Sequence, residues 1–264
     1  MSESVSSESI LVELNGGVLH LTLNRPDRLN ILDVETRRSL MSALKTLENS
    51  SEVRCVLMSS KGEVFSAGAD LRYILELSEL QAREYTAFVK SVLDYVEAYP
   101  KPTIGLVDGL AVGGALELLL ALDMVLATPN ARFGLTELNV GLIPGGGGSQ
   151  RLPRIVGVRK AKEMIFTGSL INADEALSLG LVNRVVPRES LMAEAMKICE
   201  KITAKSPAGL RLAKQSLNQS LYSSMGDGLR FENALYTSMV ASPDAKERIK
   251  AFLERRKETA QKGG

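Results

Sequence analysis

The chain has 264 residues, 45% hydrophobic and 24% charged, which is ordinary for a folded protein and enough for one large domain or a domain with an appendage. Lys plus Arg (32) nearly balance Asp plus Glu (31), and a net charge of +1 gives no electrostatic ground for a nucleic-acid or membrane partner. The single histidine, His20, sits in an alternating run with no nucleophile elbow, so neither a Ser-His-Asp triad nor a His-based metal site is expected, and proton transfer would fall to carboxylates, Lys or Tyr.

Residues 1–9 are rich in Ser and Glu, without the apolar core of a secretory signal or the arginines of a transit peptide, and read as a disordered tail. Residues 10–14 and 18–23 are two short strands around the hairpin signal Asn15-Gly16-Gly17. Asp33 is placed to cap a helix over residues 34–49, whose apolar positions Val34, Leu40, Ala43, Leu44 and Leu47 fall mostly on one face. A strand is predicted over 53–58, a helix over 79–99 ending at Pro100, and a strand over 103–107 turned by Asp108-Gly109. Gly113-Gly114 leads into a helix over 115–122, followed by a strand over 124–127.

The most apolar stretch, residues 116–127, is interrupted by Glu117 and Asp123 and is too short to span a bilayer. Helices then dominate, over 159–167, 174–179, 191–204 and onward. This order implies an α/β core over residues 1–205 and a helical region over 206–264, with a soft boundary at Ser206-Pro207 and no internal sequence repeat. Cys55 and Cys199 lack zinc spacing and read as buried small hydrophobes in a reducing, cytoplasmic compartment.

Three glycine-containing stretches are candidates for chemistry. Phe65-Ser66-Ala67-Gly68-Ala69-Asp70 follows a strand; it reads equally as a tight turn capped by Asp70 and as a loop that lets a ligand reach the backbone. Gly113-Gly114 at a helix start exposes N–H groups suited to a developing oxyanion, and does not fit a dinucleotide fingerprint. Glu117, inside an apolar helix, is either ion-paired or functional. The third stretch runs from Phe133-Gly134-Leu135-Thr136-Glu137 to the glycine run 145–148, which lacks the Lys of a P-loop. Arg151, Arg154, Arg159 and Lys160 form a modest basic cluster that reads as a solvated face more readily than as a phosphate contact.

In order and spacing these stretches resemble the enoyl-CoA hydratase/isomerase (crotonase) superfamily. The likeness runs from Leu23-Asn24-Arg25-Pro26 through residues 65–70, 113–117, 133–137, 144–154 and 176–182 to residues 252–256. The resemblance implies a crotonase-like spiral of strand–strand–helix turns with a C-terminal helical trimerisation region, and a homotrimer or a homohexamer built as a dimer of trimers. It implies a CoA thioester as substrate, with coenzyme A part of that substrate and no separate cofactor.

Residue by residue, it places the oxyanion hole at the backbone N–H groups of Ala69 and Gly114, and the two hydratase carboxylates at Glu117 and Glu137. Positions lining the CoA and acyl path fall on Arg28, Leu29, Ala67, Asp70, Leu71, Gly113, Thr136 and Gly145, with Phe252 and Arg255 closing over the nucleotide part. Both glutamates being present favours hydration of a 2-enoyl-CoA, in fatty-acid or branched-chain acid degradation, over double-bond isomerisation or a non-catalytic acyl-CoA-binding role. The stretch 143–153 is similar to that of methylglutaconyl-CoA hydratases, and Thr136 stands where short-chain hydratases often carry proline, which leaves acyl length and branching open.

Overall fold

The computed structural model describes residues 7–262, which fall into two compact units, one ending at Ile202 and one beginning at Thr203. Most of the expected tail, residues 1–6, lies outside the described residues. Its last residue corrects that reading: Ser9 is buried, and its carbonyl accepts the Asn24 backbone N–H.

In the first unit β1 (Ile10–Asn15) and β2 (Val18–Leu23) form the antiparallel hairpin, and Gly16 and Gly17 take the positive φ that the turn requires. Asp33 caps α1 (Val34–Leu47) by accepting from the Thr36 N–H. The chain continues through β3 (Cys55–Ser60), β4 (Val64–Ser66), the single-turn α2 (Leu71–Leu75) and α3 (Glu79–Ala98), which starts on a Ser78/Gln81 capping box. Next come β5 (Thr103–Val107), β6 (Leu110–Val112), α4 (Gly114–Leu120), β7 (Met124–Ala127) and β8 (Arg132–Gly134). Then α5 (Gly148–Val156), α6 (Val158–Thr167), β9 (Ile171–Asn172), α7 (Ala173–Ser178), β10 (Arg184–Val185) and α8 (Arg188–Thr203) follow.

The strands fill two sheets, in the orders β1-β2-β3-β5-β7-β10 and β4-β6-β8-β9. Each turn lays one strand in the first sheet and the next in the second: β3 then β4, β5 then β6, β7 then β8. Within each sheet these strands pair in parallel, so successive turns stack with the same sense. This is the expected spiral, and it reveals the repeat as structural rather than sequential. The second sheet was not foreseen, because strands of two or three residues are too short to show alternation.

Alternation is clear in the larger sheet. Val56 and Met58 of β3 face one core with Leu40, Leu44, Leu93 and Val96, while Cys55 and Leu57 face another with Leu191, Ala195 and Cys199 of α8. In the second unit α9 (Pro207–Gln219), α10 (Met225–Ala241) and α11 (Pro243–Lys262) form a helical group in which α10 packs on both neighbours.

Candidate active site

The stacking brings the three glycine stretches to one place. The loop after β4 is fixed by three hydrogen bonds: Ala67 N–H to the Leu29 carbonyl (3.0 Å), Gly68 N–H to Ser66 Oγ (3.1 Å) and Leu32 N–H to the Gly68 carbonyl (2.7 Å). The last of these sets an orientation. The peptide joining Gly68 to Ala69 is planar and trans, so anchoring its carbonyl on Leu32 turns the Ala69 N–H the opposite way. Gly68 has φ +86°, and a methyl there would stand 2.6 Å from the Val112 carbonyl oxygen and 3.1 Å from the Gly114 nitrogen, so only glycine fits.

One strand along in the second sheet, Gly113 (φ 55°) passes the chain from β6 into α4, and its carbonyl accepts the Glu117 N–H at 3.0 Å. The Gly114 N–H therefore points out of the helix start. Neither the Ala69 nor the Gly114 amide donates a hydrogen bond among the described residues. A methyl built on Gly114 would lie 3.7 Å from the Ala69 nitrogen, so the two donors are neighbours.

One helical turn on, Glu117 is only 4% exposed. Among the described residues it makes no ion pair. Its Oε1 accepts the backbone N–H groups of Gly146 (2.7 Å) and Gly148 (2.9 Å), so the buried carboxylate is satisfied by main-chain donors. That grip requires glycine at 146, where a methyl would meet Glu117 Oε2 at 2.6 Å.

Arg151 holds the loop from behind. It donates to the Gly146 carbonyl (2.9 Å), bidentately to Glu97 (3.1 and 3.0 Å) and to Asp94 (3.2 Å). Arg151 is thus a buried brace, which corrects its assignment to a solvated basic face. Its companion Lys160 pairs with Glu163 and Glu175, while Arg154 and Arg159 are exposed.

Glu137 opens the 3-10 turn Glu137–Val140 after β8, closed by Gly141 in the left-handed region. Its Oε1 stands about 3.5 Å from where a Gly113 methyl would lie, and its Oε2 is buried with no hydrogen-bond partner among the described residues. Burial pushes the Glu137 carboxyl up to about 7; its own backbone N–H opposes the shift, and the nearby Glu117 charge adds to it.

Both carboxylates line one cavity of about 380 Å³. Of the residues singled out in the sequence, Ala67, Ala69, Leu71, Gly113, Gly114, Glu117, Thr136, Glu137 and Gly145 line it. Arg28, Leu29 and Asp70 are not in that lining. Arg28 pairs with Asp70 (3.4 Å) and Asp33 (3.6 Å), Asp70 caps α2, and the Leu29 carbonyl anchors the Ala67 loop. Phe252 and Arg255 belong to the second unit, where both side chains are exposed.

Among the lining residues that the sequence reading passed over are Arg37 and Tyr85. A signal for Arg37 was present: positions 37, 40, 44 and 47 repeat at helical spacing, which puts its guanidinium on the apolar face of α1.

Two amides without an acceptor among the described residues, beside two carboxylates, are the arrangement that acid–base chemistry through an oxyanion requires. A family model described as enoyl-CoA hydratase/isomerase matches residues 13–262, and the chain belongs to that family. It is 38% identical over 250 residues to a short-chain-enoyl-CoA hydratase of Clostridium acetobutylicum, a match covering 94% of this chain and 96% of that one. It is 37% identical to a crotonyl-CoA hydratase of Syntrophomonas wolfei over 95% and 96% of the two chains. The solved structure of an enoyl-CoA hydratase from Bacillus anthracis superposes with a TM-score of 0.89 at 36% identity, covering 94% of this chain and 96% of that one.

Proposed function

We propose that the chain adds water across the C2=C3 bond of a 2-enoyl-CoA thioester to give a 3-hydroxyacyl-CoA, with Glu117 and Glu137 moving the protons. The observation that carries this is the pair of carboxylates in one cavity beside the unpartnered Ala69 and Gly114 amides. The thioester oxygen accepts from both N–H groups. It gains charge as the enolate forms, so the fixed donors bind the transition state more strongly than the substrate. Each such donor is worth on the order of 10²–10³ in rate.

A water held between the carboxylates attacks C3. The contacts support a division of roles. Glu117 Oε1 accepts two N–H bonds, an arrangement suited to a carboxylate, and its other oxygen is left to take the water's proton. Glu137 is raised to about 7 and retains a proton near neutrality, which it delivers to C2. The protons balance: the water loses one to Glu117, C2 gains one from Glu137, and exchange with solvent restores the pair.

In this reading the coenzyme is part of the substrate and no separate cofactor takes part. A trimer, alone or doubled into a hexamer, is supported by the apolar side chains that the second unit exposes, among them Met225, Leu229, Tyr236 and Phe252. Among the described residues no helix is long and apolar enough to cross a membrane. A reducing compartment such as the cytoplasm suits the buried free thiols of Cys55 and Cys199.

Turnover of crotonyl-CoA in water enriched in heavy oxygen tests the reaction. Hydration puts the label on C3 of a 3-hydroxy product, whereas an alkene displaced along the chain without label identifies an isomerase.

A further inference from the structure

Arg37 is 2% exposed, yet it lines the same cavity as Glu117 and Glu137. Its Nε donates to the Leu32 carbonyl (2.9 Å), which pins one edge of the guanidinium. Nη2 lies 2.9 Å from where a methyl on Gly114 would sit, so the free edge is beside the oxyanion amide. The Tyr85 hydroxyl is its side-chain partner, and among the described residues no carboxylate approaches Arg37 closely enough to form an ion pair. Glu117 and Asp33 reach it only through their fields, and Glu117 is already held by Gly146 and Gly148.

A guanidinium does not shed its proton, and a buried cation without an anionic partner is costly. Much of the remaining lining is apolar, Leu71, Ile74, Leu77, Val89 and Leu142 among it. An arginine within the apolar stripe of α1 that also lines this cavity offers a site for an anion. The planar fork, backed by a phenol, matches a carboxylate.

Resting on the hydration reading, we infer that Arg37 and Tyr85 form an anion subsite for the acyl group, and that the preferred substrates are short 2-enoyl-CoA thioesters bearing a carboxylate at the far end of the acyl chain. The carboxylate then accepts from Arg37 and Tyr85 while the thioester oxygen occupies the amides of Ala69 and Gly114. This orients C3 toward the water and neutralises the guanidinium.

The test compares kcat/KM for two thioesters of equal length, the mono-CoA ester of trans-2-pentenedioic acid and trans-2-pentenoyl-CoA. The wild-type chain is expected to favour the carboxylated substrate by at least about tenfold, the scale of a hydrogen bond to a charged group. Arg37→Met is expected to lower that ratio by about 10–100-fold, with Arg37→Lys retaining part of it. Tyr85→Phe, which removes one oxygen and leaves the fold least disturbed, is expected to lower it several-fold and keeps the test decisive should Arg37→Met fail to fold.

A wild-type preference for pentenoyl-CoA, or a ratio unmoved in folded Arg37→Met or Tyr85→Phe protein, overturns the inference and leaves hydration standing. Loss of both substrates at equal cost in Arg37→Met would assign Arg37 to the reaction rather than to acyl selection, and so also overturns it. Failure of the wild-type chain to hydrate either thioester overturns the hydration reading together with the inference.

Discussion

The loop 145–148 and the turn 136–141 each deliver one environment to one carboxylate, and the environments are opposite. The glycine loop turns two backbone N–H groups onto Glu117 and is itself braced by Arg151, so a buried charge there meets donors. The turn at Glu137 leaves one buried oxygen with no partner among the described residues, and burial raises the pKa of the carboxyl. The proposed mechanism rests on this contrast: it gives the satisfied side chain the part of accepting a proton and the orphaned one the part of holding and releasing it.

The largest blow to this division should come from Glu117→Gln. The amide oxygen still accepts from Gly146 and Gly148, so the loop stays in place, but no base faces the water. Turnover should fall by about 10⁴-fold, with CoA-product affinity preserved in a calorimetric titration. Glu137→Gln removes the acid and should cost about 10³-fold in kcat by the same assay, because water relay to C2 remains open.

Gly146→Ala sharpens the comparison by touching only one side of it. Its methyl would come 2.6 Å from Glu117 Oε2 and 2.5 Å from Leu93 Cδ1, so Glu117 must shift while Glu137 does not. A displacement of about 1 Å in a reacting group costs about 10²-fold, which should appear in kcat more than in KM.

The smallest effect is on stability. The Glu137 carboxyl binds its proton more tightly folded than unfolded, so the folded state holds more protons between its ordinary value of 4.5 and about 7, and stability falls as pH rises through that window. Glu137→Gln removes this loss. The variant should unfold at higher urea than wild type near about pH 8, by on the order of 2 kcal/mol, and the two should converge near about pH 4.

How much of this was legible in the sequence depended on length and on repetition. The helices declared themselves through caps and periodicity, as Asp33 did for α1, and Glu117 stood out as a charge in an apolar helix. The glycine pair at the start of α4 pointed to Gly114 as an oxyanion donor, and the family likeness supplied Glu137 and Ala69. The second sheet stayed hidden because β4, β6, β8 and β9 have at most three residues each.

Arg151 misled because three other basic residues lie close to it in sequence, and only folding brings Glu97 and Asp94 to it. Arg37 was passed over beside Arg38, although its place in the stripe with Leu40 and Leu44 marked it as buried. A charge on an apolar face is as plain at position 37 as at position 117, and the same rule applied twice would have singled out both.

Infrared difference spectroscopy across a pH titration tests the division of roles most directly, since a protonated carboxyl and a carboxylate absorb apart. The wild-type protein should show a protonated-carboxyl band that disappears with a midpoint of about 7, is absent from Glu137→Gln and persists in Glu117→Gln. A band that instead vanishes in Glu117→Gln, or one that titrates in the ordinary carboxylate range, would contradict the assignment.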